Sequence, residues 1–280
     1  MRKVSMALAA VMMSSLAAPA LAMDKTSRKA VEAALSGDHR SAEDKARDVY
    51  SKPMDVLDFL GFRSDMTVVE IWPGTGWYTK VLAPALRERG QLYAAQFSLN
   101  PPNGYQRRAM GSFLTTLGQN PDLYRDVIVT TMAAPYELAI APAGSADLVL
   151  TFRNVHNWVM ESQGGGKYAP LYFQAMFDAL KPGGVLGVVD HRWPDPATED
   201  PLSKNGYISI ERTVAMAEAA GFRLAGQSPL LANPADDHEH PRGVWTLPPS
   251  LALGDQDRAS YVAIGESDRF LLKFVKPTQP

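Results

Sequence analysis

The chain has 280 residues, 46% hydrophobic and 21% charged, which suits a globular protein with a full core and excludes a disordered or collagen-like one. Lys plus Arg is 28 against 30 Asp plus Glu, so no basic surplus is available for gripping nucleic acid. With no Cys, disulfides, thiolate nucleophiles, iron–sulfur clusters and Cys-ligated zinc are all excluded.

Met1 to Ala22 reads as a secretory signal. Arg2 and Lys3 open it, Val4 to Leu16 is an apolar run, and Ala20-Leu21-Ala22 follows Pro19 as an A-x-A cleavage site. The run is short for a membrane span, and no Cys follows it to carry a lipid. The expected product is a mildly acidic chain starting at Met23, periplasmic or secreted, with no stable membrane anchor. Its oligomeric state is not legible.

Residues 23 to 64 read as a mostly polar helical segment. Ser41 caps one helix with Asp44 three residues on, and Ala42, Ala46, Val49 and Tyr50 form its apolar stripe. Pro53 opens the next helix, Val56, Leu57 and Leu60 face inward, and Gly61 ends it. From 65 to 280 strands alternate with helices. The strands are Thr67 to Ile71, Gln91 to Phe97, Val127 to Met132, Ala146 to Phe152, Val185 to Asp190, Phe222 to Gln227 and Phe270 to Val275. Helices run from about Tyr78 to Arg89, where Pro84 predicts a kink, near 105 to 118, from about Pro170 to Leu180 and from Ser209 to Gly221. An irregular segment, 229 to 267, precedes the last strand.

Apolar β-branched strands between helices predict a seven-stranded, mostly parallel, doubly wound Rossmann-like sheet. No periodic helix lies between the last two strands, so the final strand returns antiparallel. Ligands bind such sheets beyond the carboxyl ends of the strands, where strand order reverses. That rule singles out four stretches.

Glu70-Ile71-Trp72-Pro73-Gly74-Thr75-Gly76 leads a strand through a Gly turn into a helix. Its glycines permit close backbone approach and Glu70 can accept hydrogen bonds, though a tight turn without ligand has the same pattern. Arg153-Asn154-Val155-His156-Asn157-Trp158 follows strand four. His156 suits a general base, Asn154 and Arg153 can orient a substrate, and Trp158 can stack on one. Satisfying nearby backbone groups is the competing role. Asp190-His191-Arg192 ends strand five and either positions an acid/base group or an anion, or merely caps and pairs within the loop. Asp236-Asp237-His238-Glu239-His240 has the side chains of a divalent-metal site, but consecutive residues rarely supply several ligands to one ion. It reads first as a solvated loop, and no metal ligand is assigned.

The acidic strand end with G-x-G, Lys181-Pro182-Gly183-Gly184, Ala220-Gly221-Phe222 and the terminal hairpin resemble a class I S-adenosylmethionine-dependent methyltransferase over roughly 54 to 276. Trp72 to Thr79, Phe152 to Trp158, Asp190-His191-Arg192 and Asn233 to His238 are similar to a group of exported bacterial predicted methyltransferases. The resemblance implies S-adenosylmethionine held by Glu70, Trp72, Gly74, Gly76 and Gln96. It implies acceptor contacts from Arg153, Asn154, Trp158 and Arg192, with His156, Asp190 and His191 catalytic at adjoining strand ends. Three positions depart from the family: Trp72 stands where its loop has Gly, Gln96 where an acid holds the ribose, and Met132-Ala133-Ala134-Pro135 where another acid or polar group is common. The alternative is a non-catalytic periplasmic small-molecule or metal-binding protein on the same fold.

Overall fold

The computed structural model describes residues 23–101 and 103–278. The signal assigned to Met1–Ala22 lies outside these residues. The strands are β1 (Thr67–Ile71), β2 (Gln91–Gln96), β3 (Ile128–Thr131), β4 (Ala146–Phe152), β5 (Leu180–His191), β6 (Arg223–Ser228) and β7 (Arg269–Val275). They form one sheet in the order β3-β2-β1-β4-β5-β7-β6. β1 to β5 pair in parallel, and β7 runs antiparallel to both β5 and β6. The sheet has the Rossmann-like form that the strand pattern predicts.

Each face carries a helical layer, which is why the central strands are apolar on both sides. One core joins Val69, Ile71, Val149 and Val188 to Phe173 and Met176 of the helix Ala169–Ala179. The other joins Val68, Leu148 and Leu271 to Val81 and Leu82, and to Val31, Val56, Leu57 and Leu60 of the N-terminal helices. The N-terminal segment is therefore part of the packing. The Ser41–Asp44 capping box forms, and Gly61 ends the helix Pro53–Leu60 at φ 79°. The stripe expected beside that cap does not face inward. Val49 is exposed, because the chain breaks at Arg47 into two short helices and turns that face away.

The helix that contains Pro84 runs Thr79–Leu86, continuing two residues past the proline and stopping short of Arg89. Proline removes the N–H that would bond to the carbonyl four residues back, here Lys80. His39 fills that place, its Nε2 lying 2.7 Å from the Lys80 oxygen. The segment read as irregular contains a helix, Arg258–Ile264, and the loop after β4 contains another, Val155–Val159. No described helix is long and apolar enough to cross a membrane.

The switch point lies between β1 and β4, since the chain builds outward to β2 and β3 and then returns to β1's other side. The antiparallel β7 enters the sheet where β5 leaves it, with His191 opposite Arg269 and Asp190 opposite Phe270. Its first residues thus lie on the same edge as the carboxyl ends of the parallel strands.

Candidate functional site

On one side of the switch point, the ends of β1, β2 and β3 close over themselves. Trp72 leaves β1 at φ 43°, a conformation that costs a bulky side chain energy and turns the indole inward. The ring is 6% exposed and lies against Phe97 (centroids 5.0 Å apart), Tyr172 (5.6 Å) and Trp158 (6.1 Å). Its Nε1–H donates to the Met132 carbonyl just past β3, at 2.7 Å. Gln96 is fully buried, its Nε2 donating to the Gly74 carbonyl at 2.8 Å and its Oε1 accepting from the Phe97 N–H at 3.0 Å.

Both loop glycines have positive φ, 62° at Gly74 and 90° at Gly76. A Cβ on Gly76 would lie 3.1 Å from the Phe113 ring, so close packing and the positive φ together favour glycine there without any ligand. At Gly74 a Cβ would meet only the Tyr105 hydroxyl, at 4.0 Å.

On the other side, a small cavity of about 60 Å³ opens between the ends of β1 and β4. Trp77, Tyr78 and Phe152 contribute aromatic wall, Trp72 borders it at the end of β1, and Arg47, Arg153 and Arg269 contribute guanidinium groups. Arg47 donates through Nε to Glu266 at 2.6 Å and lies 5.1 Å over the Trp77 ring. Arg269, 4% exposed, pairs through Nη1 with the other Glu266 oxygen at 2.9 Å and donates to the Tyr50 carbonyl at 3.1 Å. Its Nε is buried without a partner among the described residues. Arg153 leaves β4 at φ 59° and is half-buried, and its guanidinium has no hydrogen bond or ion pair among the described residues. Burial and repulsion from Arg47 and Arg269, against the attraction of Glu266, push it down to about 10, so it stays charged at neutral pH.

Glu266 is held below the usual carboxylate range: burial raises it, but Arg269, Arg153 and Arg47 outweigh that. Glu70 adds no compensating charge. Burial pushes its carboxyl up to about 8 against the opposing Thr79 hydroxyl bond, so at neutral pH it is mostly protonated. Three guanidiniums therefore face one ionised carboxylate.

The structure brings His156, Asp190 and His191 together behind this cavity. Arg153 and Val189 in the wall adjoin the loop that carries His156 and the strand end that carries Asp190. Asp190, fully buried, accepts His156 Nδ1–H at 2.7 Å, the His156 backbone N–H at 3.0 Å and the His191 N–H at 2.8 Å. A carboxylate only accepts, so the His156 ring nitrogen facing Asp190 is the donor, which fixes the ring's orientation. The His191 ring is 5.1 Å away with Nδ1 against the Ser267 hydroxyl. Burial, the adjacent His156, Arg153 and Arg269 hold His191 well below the usual imidazole range, so it is neutral. These three residues group as metal ligands do, but Asp190 is already occupied by three N–H groups and acts as the support of His156.

Other sequence candidates are engaged elsewhere. Asn154 donates to the Ile71 carbonyl at 2.9 Å and so ties β4's end to β1. Trp158 is wholly buried among Trp72, Tyr172 and Phe173, with no face toward a ligand. Arg192 makes a two-pronged pair with Asp268 at 2.7 and 2.8 Å. The 236–240 stretch is not a fully solvated loop. Asp236 is buried and accepts from Tyr207, His240 Nε2 and the backbone of His238 and Asp268, which leaves it the hub of a turn.

Four consecutive buried residues escaped sequence reasoning. Glu266 balances the arginines, Ser267 meets His191, Asp268 pairs with Arg192, and Arg269 lines the cavity. One signal was available: an antiparallel last strand must begin at the ligand edge, so a charged run just before it belongs to the site. Arg47 had no such signal.

No family model matches the chain, and no curated protein does. Solved structures do. A SAM dependent methyltransferase from Aquifex aeolicus has a TM-score of 0.52 at 14% identity, over 82% of this chain and 93% of that one. The [4+2]-cyclase SpnF has 0.52 at 16%, over 86% and 85%. A putative sarcosine dimethylglycine methyltransferase from Galdieria sulphuraria has 0.51 at 12%, over 84% and 86%. What is shared at these identities is the fold: this chain has a class I methyltransferase-like Rossmann fold. One of the three structures is of a cyclase, so the fold does not set the reaction.

S-adenosylmethionine, which the fold family implies, meets a poor fit on its nucleoside side. An acidic residue about 20 positions beyond the Gly loop ordinarily holds the ribose in such folds. Here that position is Gln96, whose amide is spent on Gly74 and Phe97, and the ground beside it holds the Trp72 indole.

Proposed function

We propose that this protein binds a small anion, a carboxylate or phosphate on a partly apolar body, in the arginine-lined cavity at the switch point. The observation that carries the reading is the unpartnered, half-buried Arg153 guanidinium beside Arg47 and Arg269. Glu266 offsets only part of the charge of three guanidiniums, and partly buried charge left uncompensated is costly unless a ligand balances it. Arg also suits planar two-pronged recognition of carboxylate and phosphate. The aromatic wall provides the apolar contact, and the neutral Glu70 provides a proton donor rather than a repelling charge. The test is thermal unfolding and calorimetry against phosphate, acetate and benzoate. A saturable stabilisation in the native chain that disappears in Arg153→Met supports the reading. Equal responses of the two proteins sink it.

A second reading, methyl transfer to an unknown acceptor, is favoured by one specific observation. Asp190 holds the His156 ring by Nδ1, which orients it behind the cavity wall with Nε2 turned away from that carboxylate. His156 would then be the base, Asp190 its positioning residue and His191 a neutral neighbour. Calorimetry against S-adenosylmethionine separates the two readings.

Export is part of the proposal. The Met23 nitrogen lies 2.6 Å from the Asp58 carboxylate and the Met23 side chain is buried, so a cut after Ala22 would place the new α-ammonium directly on a carboxylate. Intact mass of the protein from its native host should begin at Met23, and a product still carrying Met1 would overturn this.

A further inference from the structure

Two bulky structures cannot share the crevice over β1, β2 and β3. In a sheet of this kind a nucleoside ligand lays its ribose over the end of β2 and its base toward β3, beside the Gly turn. In this chain that ground holds a bicyclic aromatic of its own. The Trp72 indole lies against Phe97, which follows β2, and its one N–H is satisfied by the Met132 carbonyl, which follows β3. Tyr172 and Trp158 close the far side. The flanking polar group is spent too, since Gln96 binds the Gly74 carbonyl and the Phe97 N–H. The backbone at Trp72, φ 43°, is one that glycine adopts freely and tryptophan adopts at a cost. Strain of that kind persists only where packing outweighs it.

We propose that Trp72 is a built-in occupant of the nucleoside side of the switch point, so that the protein takes no adenosyl ligand and the ligand of the arginine cavity carries no nucleoside. The exclusion itself follows from Trp72 and Gln96. Only the statement about the cavity's ligand rests on the anion reading above. Moving the indole aside would leave the Met132 carbonyl buried without a donor and strip three aromatic contacts. Removing it should leave a dry, flat-sided hole with one orphan acceptor, matched to a bicyclic ring bearing an N–H. Such apolar cavities bind aromatic molecules of the missing shape.

The experiment uses the native chain and Trp72→Gly, which suits the φ. Each is titrated by calorimetry and thermal unfolding with S-adenosylmethionine, S-adenosylhomocysteine, adenosine and indole, and separately with phosphate. The native chain should show no saturable heat or stabilisation with any adenosyl compound. Trp72→Gly should be stabilised by indole and adenosine, with melting temperature rising by several degrees. If the variant does not fold alone, indole added during refolding should restore its near-ultraviolet circular dichroism. Saturable binding of S-adenosylhomocysteine to the native chain overturns the proposal, and so does a variant that neither indole nor adenosine stabilises or refolds. Loss of the phosphate response with the adenosyl results as expected would overturn the anion reading alone.

Discussion

The two halves of the ligand edge make opposite use of one scaffold. Over β1, β2 and β3, Trp72, Phe97 and Met132 are buried, and the polar side-chain groups of Trp72 and Gln96 are paired. Burial of a side chain the size of Trp72 contributes about 2–3 kcal/mol, enough to offset its backbone strain. Over β4, β5 and β7 the groups are ionisable, an arginine stands without a partner, and a cavity remains. The first half stabilises the fold. The second is tolerated at a cost in stability, a common mark of a binding site. A strand-order rule finds the edge, but the residue types on each strand end decide which half stays open.

That contrast can be broken most strongly at Glu70. Its pKa is raised on folding, so the folded chain keeps a proton that the unfolded chain releases. Stability should therefore fall as pH rises from about 4.5 to about 8 and level off above that, by up to about 5 kcal/mol. Glu70→Gln keeps the shape and cannot ionise. Its stability relative to the native chain should climb across that window in urea titrations at pH 5 and 8.5, and parallel profiles would mean that Glu70 is not isolated from water.

Glu266→Gln comes next. It leaves Arg47 and Arg269 without their carboxylate, and breaking a buried pair of this kind costs about 3–5 kcal/mol. Added phosphate should recover part of the loss if the cavity takes anions, and urea titration with and without phosphate measures both effects. A loss that phosphate leaves untouched would place the damage in packing.

On the filled side, Gly76→Ala should cost about 2 kcal/mol, because φ is 90° and Phe113 stands 3.1 Å from the new Cβ. A neutral result would show that the helix carrying Phe113 moves freely, and that this half is looser than its packing implies. The smallest effect has the opposite sign. Arg153→Met removes an unpaired charge next to two others and should gain about 1 kcal/mol in low salt while abolishing the phosphate response. A destabilised Arg153→Met would reveal a structural partner for the guanidinium.

Much of this edge was legible in the chain because it is local. Alternating apolar strands and capped helices announced the sheet, and the strand ends delivered Gly74, Gly76, His156 and Asp190 to one side of it. What escaped was long-range. Arg47 meets Glu266 across 219 positions, and nothing in the polar N-terminal segment marks that arginine as different from its neighbours. The 266–269 run looked like ordinary surface charge ahead of a strand, although the antiparallel direction of that strand already placed it at the edge.

The sequence by itself determined the fold class, the position of the switch point and the loops around it, because hydrophobic period and turn chemistry act over a few residues. Only the tertiary structure decided which way each side chain at those strand ends turns. Trp72 and Trp158 face into one core, Gln96 and Asn154 tie loops together, and Arg192 is held by Asp268, whereas Arg153 is left free. The reason is physical: whether a polar or aromatic group packs, pairs or stays open depends on partners that distant segments bring to it.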